Sequence, residues 1–184
     1  DVELNAQINI GDLSGAGQLR FVPDAEWSGT DSFQWKGYDG SVYSDVATVT
    51  LTINATNDRP TLDLNGGNPG TGFNATFAAG GAAVRITGDG LDISDIDSEL
   101  MQSATVVIIN RKNGAKEILA ANTSGTNIEA SFSSANGALT LEGADTIANY
   151  EKVMRTGTCR IDPDVTNPTP AVRSIRFNVY DGTD

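Results

Sequence analysis

The chain has 184 residues, room for one large domain or two small ones, and carries 24 Asp and Glu against 12 Lys and Arg. A net charge of -12 argues against nucleic acid or anionic membrane as a partner and for cations. There is no histidine, which removes the commonest general base, the Ser-His-Asp arrangement and every His-based zinc site, so the chain is read as a non-enzyme.

The start, Asp1-Val2-Glu3-Leu4, is unlike a signal peptide, and no apolar run approaches the roughly 20 residues that span a bilayer. Short alternating runs separated by Gly, Asn, Asp and Pro predict an all-β protein. Phe33, Trp35 and Tyr38 begin one strand, the alternation from Val46 to Ile53 makes the next, and Asp39-Gly40-Ser41 turns between them as a hairpin. Trp27, Trp35, Tyr38 and Tyr43 are expected as core and hairpin-packing residues, with an aromatic platform for sugars as the other reading. At Asn57-Asp58-Arg59-Pro60 the alternation stops, and proline holds the preceding residue extended, so a domain boundary is placed there.

Beyond the boundary the expected strands are Thr61 to Leu64, a weak one from Ala82 to Ile86, and a strong one from Ala104 to Asn110. An Asp-rich loop from Asp89 to Glu99 lies between the last two. A hairpin through Lys112-Asn113-Gly114 leads into Lys116 to Ala120, followed by strands at Ile128 to Phe132, Ala138 to Glu142, Thr158 to Ile161 and Val172 to Tyr180. Ile147, Tyr150 and Met154 sit at helical spacing after Asp145-Thr146, a cap for a helix of two or three turns. The only cysteine, Cys159, allows no internal disulfide and is expected as a small buried side chain.

Phe33 to Gly40 match Ile175 to Gly182 at an offset of 142, each an alternating strand ending in Tyr-Asp-Gly, and Gly17 to Phe21 resemble Gly137 to Leu141 at an offset of 120. The second copy therefore carries an insertion of 22 residues, placed near 143–171. By this alignment residues 1–57 are the C-terminal half of one repeat and 58–184 a nearly complete second one, so the termini read as cuts in a longer array.

The run Phe21-Val22-Pro23-Asp24-Ala25-Glu26-Trp27-Ser28-Gly29-Thr30-Asp31-Ser32-Phe33, then Tyr38-Asp39-Gly40 and Asn57-Asp58-Arg59-Pro60, resembles the cadherin-like tandem repeats of large bacterial surface proteins and adhesins, relatives of chondroitin-sulphate-proteoglycan repeats. Gly80-Gly81-Ala82-Ala83-Val84, Asp92-Ile93-Ser94-Asp95-Ile96-Asp97-Ser98 and Ala104-Thr105-Val106 resemble the same family's first strands. The resemblance implies tandem Greek-key β-sandwiches of cadherin or immunoglobulin type, here with a short helical insertion in the second. It also implies calcium where one repeat meets the next, held by Asn57, Asp58, Asp95 and Asp97, with Asp24, Glu26 and Asp181 joining. Relatives often carry an acid just before Gly-Gly-Ala-Ala-Val, where this chain has Ala78-Ala79.

The chemistry selects the same positions, because calcium takes six to eight oxygens from loops, and Asp95 and Asp97 at i and i+2 point the same way from an extended segment. The loop is no EF-hand: the sixth position from Asp95 is Leu100, not glycine. Asp89 and Asp92 are read as turn formers on the surface. The expectation is a calcium-rigidified, extracellular or cell-surface structural and adhesive segment, partnered by neighbouring repeats of its own chain and by cell-surface glycans or proteins, with no membrane insertion. The alternatives are a carbohydrate-binding β-sandwich module and an accessory domain of a secreted enzyme.

Overall fold

The computed structural model describes residues 20–77 and 81–183. Gly17 to Leu19 of the upstream internal match, the start at Asp1, and the Ala78-Ala79-Gly80 segment lie outside the described residues. The chain divides into two compact units, Asp1–Thr56 and Asn57–Asp184.

The first unit contributes one antiparallel pair, β1 (Gly29–Trp35) and β2 (Ala47–Ile53), in the register Phe33 opposite Val49 and Trp35 opposite Ala47. Asp39 closes the connection by accepting the N–H groups of Ser41 and Val42 on Oδ1, both at 2.8 Å, and Tyr38 bridges to Tyr43. The predicted hairpin is there, but its aromatics are not core. Trp35 is 56% exposed and Tyr43 59%, and Trp27 and Tyr38 are also on the surface, because among the described residues no second layer covers the two-stranded sheet.

The second unit is mostly β, with one helix, and its sheets close on one core as an all-β sandwich requires. Its strands are β3 (Thr61–Asp63), β4 (Val84–Arg85), β5 (Asp92–Ser94), β6 (Leu100–Ile108), β7 (Glu117–Ala120), β8 (Glu129–Ser133), β9 (Ala138–Thr146), β10 (Thr158–Ile161) and β11 (Ile175–Tyr180). They form an antiparallel four-stranded sheet in the order β11-β6-β9-β8, a three-stranded sheet β4-β10-β7 and the pair β3-β5.

Period-two alternation puts one side of each strand inward. Across the four-stranded sheet Phe177, Val106, Leu139 and Phe132 stand opposite one another in a row, and Val179, Ala104 and Leu141 in the next. In β6 the buried residues are Met101, Ala104, Val106 and Ile108. The inward side of β6 steps by three residues from Met101 to Ala104 beside a register shift between Met101 and Ser103, where β9 spends three residues, Asp145 to Glu142, against two in β6.

Helix α1 (Ile147–Arg155) forms where the spacing placed it, with the Thr146 hydroxyl accepting the Asn149 N–H at 3.2 Å as its N-cap. Tyr150, Val153 and Met154, at i, i+3 and i+4, are its buried stripe. Its polar side docks β5: Glu151 accepts the Ile93 N–H at 2.9 Å, and Arg155 donates to the Leu91 carbonyl at 2.5 Å. Among the described residues no helix is long and apolar enough to cross a membrane.

Two expectations about local order are corrected. The segment after β6 is not a hairpin, since β7 belongs to the other sheet and pairs with β10. Gly114–Lys116 form a 3-10 turn, and the buried Glu117 carboxylate accepts the N–H groups of Lys112 and Asn113, so the chain crosses between layers instead of folding back. The Asp-rich loop contains a strand, β5, because Ile93 at 4% exposure anchors Asp92–Ser94 against β3. Cys159 is half-buried against the core, opposite Leu119 and Val84, and burial raises its thiol pKa, leaving a packing side chain.

Candidate metal site

Five of the seven acids and amides selected from the sequence lie in one hydrogen-bonded set in the second unit. Asp95 begins it: its Oδ1 accepts the N–H groups of Asp97 and Ser98, at 3.1 and 3.0 Å, the usual turn-forming bond of an Asp two residues before the donor. Asp97 Oδ2 accepts the Asp58 N–H at 3.1 Å, which ties the Asn57-Asp58 segment to this loop. Asn57 Nδ2 donates to Asp181 Oδ2 at 2.9 Å, and also to the Asp58 carbonyl at 3.0 Å. Residues 124 apart in sequence are thus joined at one end of the unit.

Asp181 is 7% exposed, and its other oxygen accepts the Thr183 N–H at 2.9 Å. The Thr183 N–H and then the Asn57 amide hold its carboxyl below the ordinary Asp value, so it is a charged acceptor at neutral pH. Asp95 Oδ2 is buried and has no hydrogen-bond partner among the described residues. A buried carboxylate oxygen without a donor is costly, and a cation is one way to satisfy it.

The remaining two residues belong to the other unit. Asp24 and Glu26 belong to the first unit, in a turn closed by the Trp27 N–H on the Asp24 carbonyl at 3.2 Å, with Glu26 at φ 61°. Among the described residues no three Asp, Glu or Cys side chains stand together as a metal-ligating group. The donors fit calcium in kind, being loop-borne oxygens only; Asp97, Asp58, Asn57 and Asp181 are linked to Asp95 through hydrogen bonds and are not grouped around one point.

Among the described residues, Glu117, Asp145 and the Asn65 amide oxygen are also buried, outside this set. Glu117 is held by Arg173, whose Nε donates to Oε1 at 2.8 Å. Asp145 accepts from Asn127 N, Thr146 N and Asn149 Nδ2. Asn65 Oδ1 is buried without a partner, while its Nδ2 donates to the Gly72 carbonyl at 2.6 Å. Glu117 was findable, since it shares the inward face of its strand with Leu119.

On the first unit, Tyr38 and Tyr43 have ring centroids 4.7 Å apart and tilted by 35°, and the Lys36 ammonium lies 4.1 Å from the Tyr43 ring centre. With Gly37, Asp39, Val42 and Ser44 these tyrosines line an open cleft of about 380 Å³. Compared with protein-family models, with curated proteins and with solved structures, the chain matches none.

Proposed function

We propose that this chain is a calcium-rigidified, extracellular or cell-surface structural and adhesive segment, built of tandem cadherin-like Greek-key sandwich repeats, in which the ion stiffens the junction at Asn57-Asp58. The observation that carries this reading is the buried, donor-free Asp95 Oδ2 in the set that ties Asp97 to Asp58 and Asn57 to Asp181. Neutralising the loop carboxylates removes their mutual repulsion and fixes the linker between two loops of the second unit; without the ion, only hydrogen bonds hold it. The neighbouring repeats are the direct partners in this reading, and rigidity is the activity.

The test is thermal unfolding of the chain in excess EDTA and in millimolar calcium. Calcium at about a hundred times its Kd stabilises by roughly 2.7 kcal/mol, a rise in Tm of roughly 10 °C for a unit of this size. The rise is expected to vanish in Asp95→Asn/Asp97→Asn. Superimposable curves with and without calcium refute the reading.

A second reading, a carbohydrate-binding module, is favoured by the exposure of Trp35, Tyr38 and Tyr43 on the first unit. Aromatic faces open to solvent stack on sugar rings. Its measurement is Trp fluorescence during titration with oligosaccharides: saturable quenching that Trp35→Ala abolishes supports it, and a flat titration removes it.

A further inference from the structure

The loop at 95–98, whose Asp97 Oδ2 accepts the Asp58 N–H, lies between β5 and β6. β5 by itself is a weak support for it. It has three residues, and among the described residues its one strand neighbour is β3, also of three. A two-stranded pair of that length does not hold its own shape in water.

Helix α1 supplies what the pair lacks. Where a further strand would lie, Glu151 Oε1 accepts the Ile93 N–H at 2.9 Å and Arg155 Nη2 donates to the Leu91 carbonyl at 2.5 Å. An acceptor for one residue and a donor for the residue two before it are what a neighbouring strand presents. The two side chains are also joined to each other, Arg155 Nη2 to Glu151 Oε2 at 2.9 Å, with Glu151 15% exposed at its side chain. The far flank of the loop is held by the same helix, since Ile147 N, at its first residue, donates to the Glu99 carbonyl at 3.1 Å. The buried stripe of α1, Tyr150, Val153 and Met154, shares one core with Leu91 and Ile93.

We infer that α1 is a brace for this loop, with Glu151 and Arg155 as positioning residues that act through β5 to keep the Asp97 carboxylate where it takes the Asp58 N–H. Within the loop, Asp95 Oδ1 accepts the N–H groups of Asp97 and Ser98, which fixes the shape of the turn and not its place. Its place is set at the two flanks, and α1 holds both. Loosening β5 therefore shifts the turn as a body, and the bond that gives way first is Asp97 to Asp58, between residues 39 apart. The brace consists of protein bonds alone, so it stands or falls separately from the calcium reading.

The experiment is amide hydrogen exchange by NMR on the full chain, in EDTA, comparing Glu151→Ala with the unaltered protein. Ile93 N loses its own acceptor in that variant, so the readout is Asp58, Asp97 and Ser98, whose acceptors are untouched. These three amides are expected to exchange about 10- to 100-fold faster, the span for losing a hydrogen bond to a charged acceptor, with the amides of β8 and β9 unchanged. Glu151→Gln keeps an oxygen for the Ile93 N–H and is expected to restore most of the protection. Arg173→Met lowers stability at the Glu117 pair and is expected to leave the three loop amides at their normal rates, because they exchange by local opening. Arg155→Met removes only the donor to Leu91 and is expected to accelerate the same three by less; it carries the test if Glu151→Ala does not fold. Unchanged exchange at Asp58, Asp97 and Ser98 in these variants overturns the proposal. So does an equal acceleration in Arg173→Met, which would make α1 a contributor to overall stability and nothing more.

Discussion

Glu117 is 1% exposed and accepts from Lys112 N, Asn113 N and Arg173 Nε, while Arg173 Nη2 donates to Asn113 Oδ1 at 2.5 Å. Arg173 is itself 14% exposed at its side chain, so each charge depends on the other. Removing one partner strands the other in a poorly solvated place: Arg173→Met is expected to cost about 3 kcal/mol, measured by urea unfolding, and Glu117→Gln/Arg173→Met together less than the sum of the two. Tyr150, fully buried, donates its hydroxyl to the Gly143 carbonyl at 2.7 Å, and burial, then Asp145 and Glu142, push its pKa up to about 12. A raised acid of this kind lends stability that is intact below its unfolded value near 10 and is lost as pH rises from 10 towards 12. Tyr150→Phe is expected to cost roughly 1 to 3 kcal/mol by leaving the Gly143 carbonyl without its donor, and to flatten the alkaline limb of the stability curve.

At the scale of elements, α1 rests on one cap and one glycine. Thr146→Ala removes the hydroxyl that accepts Asn149 N, and a loss of about 1 kcal/mol is expected in denaturant melts. Gly143 sits at φ 128°, and a Cβ there would lie 2.4 Å from the Asn127 carbonyl oxygen, so Gly143→Ala is expected to cost more than the cap does. The strand alternation and the helix stripe were legible in the sequence because each is set by a local period. The crossing from β6 to β7 was not, because Lys112-Asn113-Gly114 is a good turn for either outcome, and the choice rests on the Glu117 carboxylate and its distant partner Arg173. Nor was β5, whose three residues are too few to show a period and are held by β3 and by Glu151 of the helix.

For the whole molecule, every buried hydrophobic residue among those described lies at Ile86 or beyond, in the second unit. The fragment Asn57–Asp184 is therefore expected to melt cooperatively within a few degrees of the full chain, by calorimetry. Acid is its weak side. Asp145, through the Asn149 amide and Asn127 N, and Asp181, through Thr183 N and the Asn57 amide, have lowered pKa values. The stability these carboxylates lend is present above their unfolded value of 3.8 and is lost as pH falls below it. A fall in Tm that steepens below pH 4, and weakens in Asp145→Asn, is the expected profile.

Composition and local period by themselves determined a β-rich chain with one capped helix, an acidic surface and the absence of histidine chemistry, since these need only nearest neighbours and counts. The candidate oxygens were also legible, as Asn, Asp and Asp-x-Asp in loops. Which of them meet was decided by the tertiary structure: Asn57 reaches Asp181 and Asp58 reaches Asp97 only once the sheets close, while Asp24 and Glu26 fall in the other unit. The same holds for Trp35 and Tyr43, whose apolar bodies promised burial on sequence grounds and are exposed because no second sheet covers the β1–β2 hairpin among the described residues. Periodicity fixes which side of an element is apolar; what covers that side is a long-range contact, which no local pattern carries.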